Sequence, residues 1–144
     1  DDVCHTQRFE KQLKFLADNK EVVLLGTFAK FIDENGKETG ECKVPTNYMD
    51  IKKGMFWHNP FIHPSVMFEK AVFNKVGPYD SNYKHAEDYE LWSRIVPKFK
   101  TANLPEFLLK YRILKSSITR SKKFKMRLRG AKVRFLAIKR MLSK

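Results

Sequence analysis

An apolar run near the N-terminus places the tightest constraint on how this chain can fold. Residues 21–32 contain the sequence VVLLGTFAKFI, in which β-branched and aromatic residues dominate, and this composition predicts a β-strand. The turn sequence Asn35-Gly36 follows, and both residues tolerate the positive φ that a tight reversal needs. The longest apolar stretch, Val22–Ala29, is far shorter than the roughly 20 residues of a transmembrane helix. We therefore expect a strand and a tight turn here, and no membrane span.

Helical and extended segments alternate along the chain. Apolar residues recur at helical spacing in several segments, and Gly77-Pro78 and Pro97 are breakers that end two of them. Thr6 is the predicted N-cap of the first helix. This alternation predicts a mixed α/β fold. The predicted helices span 6–19, 51–59, 69–76, 87–96 and 116–144, and the predicted strands span 21–32, 65–68, 99–104 and 107–113, with a loop or weak strand at 37–46.

Positive charge is concentrated at the C-terminal end. The chain has a net charge of +13, and residues 107–144 contain 14 Lys and Arg and no acid. The first 106 residues are therefore nearly neutral, with 15 basic and 16 acidic residues. A nucleic-acid-binding domain usually carries its basic face on the fold itself, so this distribution disfavours that class. We therefore expect no nucleic-acid partner. A nucleic-acid-binding module with a basic tail is kept as an alternative.

The cysteines and the chain start indicate a cytoplasmic location. Cys4 and Cys42 form no C-x-x-C pair, which disfavours a structural zinc site and a disulfide framework and favours free thiols. The first residues lack the basic and apolar regions of a signal peptide. The six glycines are scattered, without a G-x-G-x-x-G or P-loop pattern, so we expect no nucleotide-binding loop of those kinds in this chain.

Two acidic pairs are candidates for chemistry. Asp1 and Asp2 are adjacent oxygen donors that suit Mg²⁺ or Mn²⁺ beside a phosphate. The alternative is a solvated pair ahead of a helix. Glu87 and Asp88 fall in the first turn of a predicted helix, where a carboxylate can cap free N–H groups or act as a general base. The residue pattern leaves both roles open.

Two cationic side chains are further candidates. His63 lies between two prolines that restrict its backbone, which suits a site residue, and a purely structural histidine is the alternative. Arg112 follows an apolar strand and precedes Ser116, Ser117 and Thr119. An arginine beside small hydroxyl residues can clamp a diphosphate, and a surface ion pair is the alternative for Arg112.

Seven short motifs follow one another in a characteristic order. They are Asp1-Asp2, Arg8–Gln12, Gly26-Thr27, His63–Met67, Gly77–Asp80, Glu87–Trp92 and Leu108–Arg112. This order resembles the C-terminal half of a family 2 inverting glycosyltransferase with the A-type (GT-A) fold, over residues 1–119. The resemblance implies an α/β fold: the mixed sheet and flanking helices of the C-terminal half of a nucleotide-diphospho-sugar transferase at 1–115, then a basic amphipathic helix at 116–144.

The resemblance also implies an activity and residue roles. Such an enzyme transfers a sugar, with inversion, from a nucleotide-diphosphate sugar, here expected to be a UDP-sugar, to a hydroxyl of a saccharide or lipid-linked acceptor in cell-surface polysaccharide synthesis. Asp1 matches the last Asp of the family's Asp-X-Asp element and would bind Mn²⁺ or Mg²⁺, with Asp2 beside it. Asp88 matches the catalytic base, supported by Glu87.

His63 and Arg112 would face the donor diphosphate or the acceptor. The uridine-binding strands of the family would precede Asp1, so the isolated chain could be inactive. A catalytically silent interaction module on the same fold is an alternative, because retained motifs do not prove turnover.

The C-terminal segment has the pattern of an amphipathic helix. Its apolar residues recur at intervals of three and four, and most of its basic residues lie off that stripe. Such a helix in residues 120–144 suits the anionic inner face of the cytoplasmic membrane, which predicts a peripheral protein near a lipid-linked acceptor. The alternative is that the stripe docks on the sheet. The stripe consists of Phe124, Leu128, Ala131, Phe135, Ile138 and Leu142.

Overall fold

A mixed β-sheet forms the centre of the fold. A computed structural model describes residues 1–114 and 123–142, the second range with side chains from residue 130 onward. The sheet order is β1-β5-β2-β3, and β4 also pairs with β2. β2 and β5 run parallel, and the other pairs are antiparallel. The strands of the described residues are β1 (Val3–Cys4), β2 (Val22–Ile32), β3 (Glu38–Cys42), β4 (Met67–Phe68) and β5 (Lys100–Arg112).

Helices connect the strands, which confirms the predicted mixed α/β class. Cys4 in β1 and Cys42 in β3 are free thiols, as predicted. The helices of the described residues are α1 (Arg8–Asp18), α2 (Tyr48–Gly54), α3 (Phe73–Val76), α4 (Glu87–Ile95) and α5 (Lys123–Leu142), with 3-10 turns at His63–Ser65, Lys70–Val72 and Ser81–Tyr83.

β2 is the strand predicted from the apolar run. Leu24 and Leu25 point to opposite sides of the sheet and are both fully buried, which is why the run is apolar on both faces. Gly26 lies against Asn103 of β5, and a Cβ at position 26 would come within 2.1 Å of Asn103 Oδ1. The close approach of these two parallel strands therefore requires glycine at this position.

β5 is one strand where the sequence predicted two. The pairing with β2 steps from Thr27–Leu104 to Phe28–Phe107, so that Pro105 and Glu106 bulge out of the ladder. Proline has no N–H to give to a ladder and is tolerated at such a bulge. The strand therefore continues through Pro105, which lies between the two predicted strands 99–104 and 107–113.

Several predicted helix boundaries were wrong. The N-cap of α1 is Gln7, not Thr6, and it makes no side-chain cap hydrogen bond. α2 begins earlier than predicted because the Asn47 side chain accepts the N–H of Asp50 and caps the helix. The segment 69–76 is a 3-10 turn followed by α3, which ends at Gly77 with a φ of +77°.

α5 packs against α4 through a face that the predicted stripe does not contain. Val133, Ala137 and Met141 are buried in the same apolar core as Trp92 and Leu91 of α4. In the described range, the stripe residues Ala131, Phe135, Ile138 and Leu142 are exposed.

For these four residues, docking on the sheet is therefore wrong, and the side chains of Phe124 and Leu128 lie outside the described range. Residues spaced by four, including the small Val133 and Ala137, allow the close approach of α5 to α4. Among the described helices, none combines the length and apolar character needed to cross a membrane.

Candidate functional site

Asp88 lies at the centre of a polar cluster at the start of α4. Its side chain is 21% exposed, and its Oδ2 accepts a hydrogen bond from Asn59 Nδ2 at 2.8 Å. His63 Nδ1 lies 4.0 Å from the same oxygen. Within the described part of the chain, neither the Asp88 nor the Glu87 carboxylate accepts a hydrogen bond from a backbone N–H. The Asp88 carboxylate is thus directed toward Asn59 and His63 and does not cap the helix.

Two of the sequence motifs hold the turn that carries His63. Ser65, at the end of the His63–Ser65 turn, is buried, and its hydroxyl accepts the N–H of Thr27 at 3.1 Å. Gln12 Nε2 donates to the Ser65 carbonyl at 2.9 Å. Arg8 Nη1 donates to the Pro64 carbonyl of the same turn at 2.7 Å. The Arg8–Gln12 and Gly26-Thr27 motifs therefore fix the turn that carries His63.

An aromatic group surrounds the imidazole. The Tyr79 hydroxyl lies 3.4 Å from His63 Nε2, and the ring centroids of His63 and Trp92 are 6.2 Å apart. Trp92 is fully buried and forms the floor under His63 and Tyr79. Burial, and then the negative charge of Asp88, raises the pKa of Tyr79. The Tyr79 hydroxyl therefore keeps its proton at neutral pH.

Arg112 and the N-terminal acidic pair come together at the end of β5. The backbone N–H of Arg112 donates to Asp2 Oδ1 at 2.8 Å, and its Nε donates to the Asp1 carbonyl at 2.9 Å. Its Nη1 donates to the carbonyls of Asp33 at 2.8 Å and Glu34 at 3.1 Å. The guanidinium thus ties the N-terminus to the turn after β2. Ser116, Ser117 and Thr119, grouped with Arg112 in the sequence analysis, lie outside the described residues.

Tyr111 precedes Arg112 in β5. Burial raises the pKa of the Tyr111 phenol, and the negative charges of Asp2 and Asp88 raise it further. The direct contacts form two groups: Asp88 with Asn59 and His63, and Asp2 with Arg112.

Asp1 and Asp2 are the candidate metal ligands. One oxygen of Asp2 already accepts the N–H of Arg112, and Asp1 is exposed. No cluster of three or more His, Cys, Asp or Glu suited to a metal occurs in residues 1–114 or 123–142. Mg²⁺ commonly binds one or two carboxylates and takes its other ligands from water and substrate phosphates. The pair therefore fits a metal completed by a bound diphosphate, and not an all-protein metal cage.

Two residues of the cluster were not given roles by the sequence analysis. Asn59 binds Asp88, and Tyr79 contacts His63. Tyr79 stood inside a quoted motif, whereas Asn59 carried no signal except its place before a proline. His85, two residues before Glu87, has a φ of +70°, a strained conformation for a non-glycine residue of the kind that clusters at functional sites.

Comparison with known proteins gives relatives of one kind. No family model matches the chain. It is 39% identical over 113 residues to the amylovoran biosynthesis glycosyltransferase AmsE of Erwinia amylovora, covering 78% of this chain and 42% of AmsE. It is 39% identical over 124 residues to the O-antigen biosynthesis glycosyltransferase WbnJ of Escherichia coli, covering 84% of this chain and 48% of WbnJ.

A third relative has a more specific name. The chain is 35% identical over 92 residues to the UDP-Gal:alpha-D-GlcNAc-diphosphoundecaprenol beta-1,3-galactosyltransferase of Escherichia coli, covering 64% of this chain and 33% of that enzyme. The chain thus spans less than half the length of each of these relatives. Similarity over most of this chain to proteins named glycosyltransferases supports a glycosyltransferase family for it.

Proposed function

We propose that this chain is the acceptor-side part of a family 2 glycosyltransferase with the GT-A fold, which transfers a sugar with inversion from a nucleotide-diphosphate sugar. The arrangement around Asp88 carries the proposal. Its carboxylate is partly buried, held by Asn59 and flanked by the imidazole of His63. The names of the relatives support sugar transfer in polysaccharide synthesis.

Asp88 acts as the general base in this proposal. An acceptor hydroxyl gives its proton to the Asp88 carboxylate as its oxygen attacks the anomeric carbon of the donor sugar. The new C–O bond forms on the face opposite the leaving group, and the bond to the diphosphate oxygen breaks with its electron pair on that oxygen. One displacement inverts the anomeric centre.

The neighbours of Asp88 position it for this step. The hydrogen bond from Asn59 fixes one carboxylate oxygen, so the group is oriented before the acceptor arrives. The protonated Tyr79 hydroxyl and His63 supply hydrogen-bonding groups beside it. Glu87, partly buried in the same turn, supports the negative end of the site and is the second candidate for the base.

The donor diphosphate lies at the other end of the site in this proposal. Asp1 and Asp2 would hold Mn²⁺ or Mg²⁺, which when bound offsets the charge that develops on the leaving diphosphate. Arg112 stands beside both acids, already oriented by its bonds to backbone carbonyls. Its positive charge favours the diphosphate of a donor such as a UDP-sugar.

The acceptor in this proposal is a saccharide carried on a lipid. One relative is named for transfer onto a diphosphoundecaprenol-linked sugar, and we extend that acceptor class to this chain. In this proposal the enzyme works at the cytoplasmic face of the membrane that holds the lipid carrier. The exposed ring of Tyr79 beside His63 offers an aromatic face to the acceptor sugar.

The test is turnover of the complete protein that contains this chain, with a panel of nucleotide sugars and a lipid-linked acceptor. Asp88→Asn should lower kcat by at least ~10²-fold and leave donor affinity nearly unchanged, as expected for loss of a general base. Asp1→Ala should instead weaken donor binding, and only when the divalent metal is present.

A matched control separates the loss of the base from a general effect of the substitution. Asp50 is an exposed aspartate of α2 that also accepts from an asparagine Nδ2, at 2.7 Å, so Asp50→Asn should leave turnover intact. Near-normal turnover of Asp88→Asn would exclude Asp88 as the base. If Glu87→Gln then abolished turnover, the role would pass to Glu87.

A further inference from the structure

α5 is bound to the fold by one face. Val133, Ala137 and Met141 enter the core, and Arg140 Nη1 donates to Glu90 Oε1 of α4 at 2.9 Å. Glu90 is almost fully buried and Arg140 is partly exposed, so this contact joins the two helices at the edge of the core. The orientation of α5 about its own axis is thereby set.

The opposite face of α5 is apolar and exposed. Phe135 is 69% exposed and Leu142 is 74% exposed, and Ala131 and Ile138 are exposed beside them. With 100° per residue, these four side chains fall within an arc of about 60° on the side away from the core. We call these four residues the outer stripe. Contiguous exposed apolar residues of this kind mark a surface that another apolar body covers.

An exposed tryptophan is attached to α5 through its backbone. The Trp57 carbonyl accepts from Arg134 Nη1 of α5 at 3.4 Å, and the Trp57 side chain is 73% exposed. Tryptophan is enriched where an apolar phase meets water, because its ring is apolar and its N–H needs a polar partner. An exposed tryptophan held to the helix that carries the outer stripe fits a bilayer interface.

Cations border the outer stripe. Lys132 and Lys139 follow one side of it and Arg134 the other, and Lys123–Leu142 contains no acid. On the lysine side, a cleft of about 530 Å³ opens between α3, α4 and α5. Its lining contains five cations and no carboxylate, and buried Glu90 behind it offsets only part of the charge. The lining cations are Lys75, Arg94, Lys98, Lys139 and Arg140.

We propose that the outer stripe and the adjoining cationic cleft form a binding surface for an anionic membrane, with the stripe in the bilayer interface and the cleft facing lipid phosphates. Both features are needed for this choice of partner. Anionic lipid attracts the cations and accepts the apolar side chains. A nucleic acid would use the cations and could stack bases on Phe135 and Trp57, but it would leave Ile138 and Leu142 exposed to water, whereas a bilayer buries all of these apolar side chains. The surface does not depend on the proposed sugar transfer.

The test is co-sedimentation of the chain with vesicles of phosphatidylcholine alone or mixed with phosphatidylglycerol. Binding should require phosphatidylglycerol and weaken in high salt. Phe135→Ser with Leu142→Ser should weaken binding at least ~10-fold through loss of apolar burial. Lys75→Gln with Lys98→Gln should weaken it about 30-fold, since each cation near an anionic surface contributes about fivefold. Tryptophan fluorescence should shift to the blue on binding as exposed Trp57 enters an apolar environment. Trp92 is already buried, so the shift reports Trp57.

A second exposed apolar pair provides the matched control. Phe9 and Leu13 of α1 are four residues apart and more than half exposed, so Phe9→Ser with Leu13→Ser should leave vesicle binding unchanged. Circular dichroism should show that every variant keeps its helix content. The proposal is overturned by absence of binding to phosphatidylglycerol vesicles or by an equal loss in the α1 control. Binding of a single-stranded oligonucleotide without vesicle binding would overturn it in favour of nucleic acid.

Discussion

Glu90 connects the C-terminal helix to the rest of the fold, and its replacement by glutamine is the sharpest test of that architecture. Its side chain is 2% exposed. Oε1 accepts from Arg94 Nε at 3.0 Å and from Arg140 Nη1 at 2.9 Å, and Oε2 accepts from Arg94 Nη2 at 2.7 Å. In Glu90→Gln, one acceptor oxygen becomes an NH₂ donor that faces guanidinium donors.

The expected cost follows from this burial. Removing one partner of a buried ion pair costs about 3–5 kcal/mol, because the remaining charge is left uncompensated. Arg94 is mostly buried, but the Arg140 side chain is 32% exposed, so water screens part of the charge that Arg140 retains after its partner is removed. We therefore expect Glu90→Gln to lower the free energy of unfolding by about 3 kcal/mol. At a urea dependence of about 2 kcal/mol/M, the midpoint shifts by about 1.5 M.

The assay is urea unfolding followed by circular dichroism, with Glu41→Gln as control. Glu41 forms an exposed ion pair with Lys43 at 3.3 Å, and its loss should cost less than about 0.5 kcal/mol. A double-mutant cycle of Glu90→Gln with Arg140→Met should give a coupling of at least about 1 kcal/mol. A Glu90→Gln shift no larger than that of the control, or zero coupling, would refute the role of Glu90 in holding α5.

Two further predictions concern packing and pH. Gly26→Ala should lower the free energy of unfolding by at least about 2 kcal/mol, because the new Cβ meets Asn103 Oδ1, and the Asn103 amide is fixed by hydrogen bonds to two backbone carbonyls. A Cβ at position 130 would have no heavy atom within 4 Å, so Gly130→Ala should raise the free energy of unfolding by about 0.5–1 kcal/mol. Melting temperatures of the two variants test both expectations. Burial raises the pKa of Tyr89 from 10.0 to about 12, so the folded state favours the neutral phenol. The free energy of unfolding should therefore be unchanged below pH 10 and fall by about 2–3 kcal/mol as the pH rises to 12. In urea titrations Tyr89→Phe should make this decline smaller, and an equally steep decline in Tyr89→Phe would contradict the expectation.

Local sequence was sufficient to predict an element when the residues of that element alone show which of its faces is buried. The β-branched and aromatic run specified β2, and the helical spacing of apolar residues in 87–96 specified α4, whose buried residues include Leu91, Trp92 and Ile95. Both assignments rest on residues a few positions apart, whose periodicity encodes which face is buried. Element boundaries were less predictable, because the Asn47 cap and the bulge at Pro105 depend on details of hydrogen bonding.

The candidate site was predictable only in part. The sequence motifs indicated Asp88 and His63, which the fold brings to 4.0 Å. Asn59 was not predictable, because it lies 29 residues before Asp88 and meets it through the packing of separate loops and helices. Side-chain partners at such separations are set by the tertiary arrangement and leave no periodic trace.

Sequence alone determined that the C-terminal segment is helical, basic and partly apolar, and tertiary structure decided how that helix is used. Its apolar residues form two faces, and spacing alone favoured the stripe with the bulkier side chains. In the fold, Val133, Ala137 and Met141 pack on α4 while Phe135 and Leu142 face outward. The physical reason is that α4 offers a close-packed apolar surface with Glu90 at its edge, and the observed rotation of α5 satisfies both that packing and the Arg140 contact.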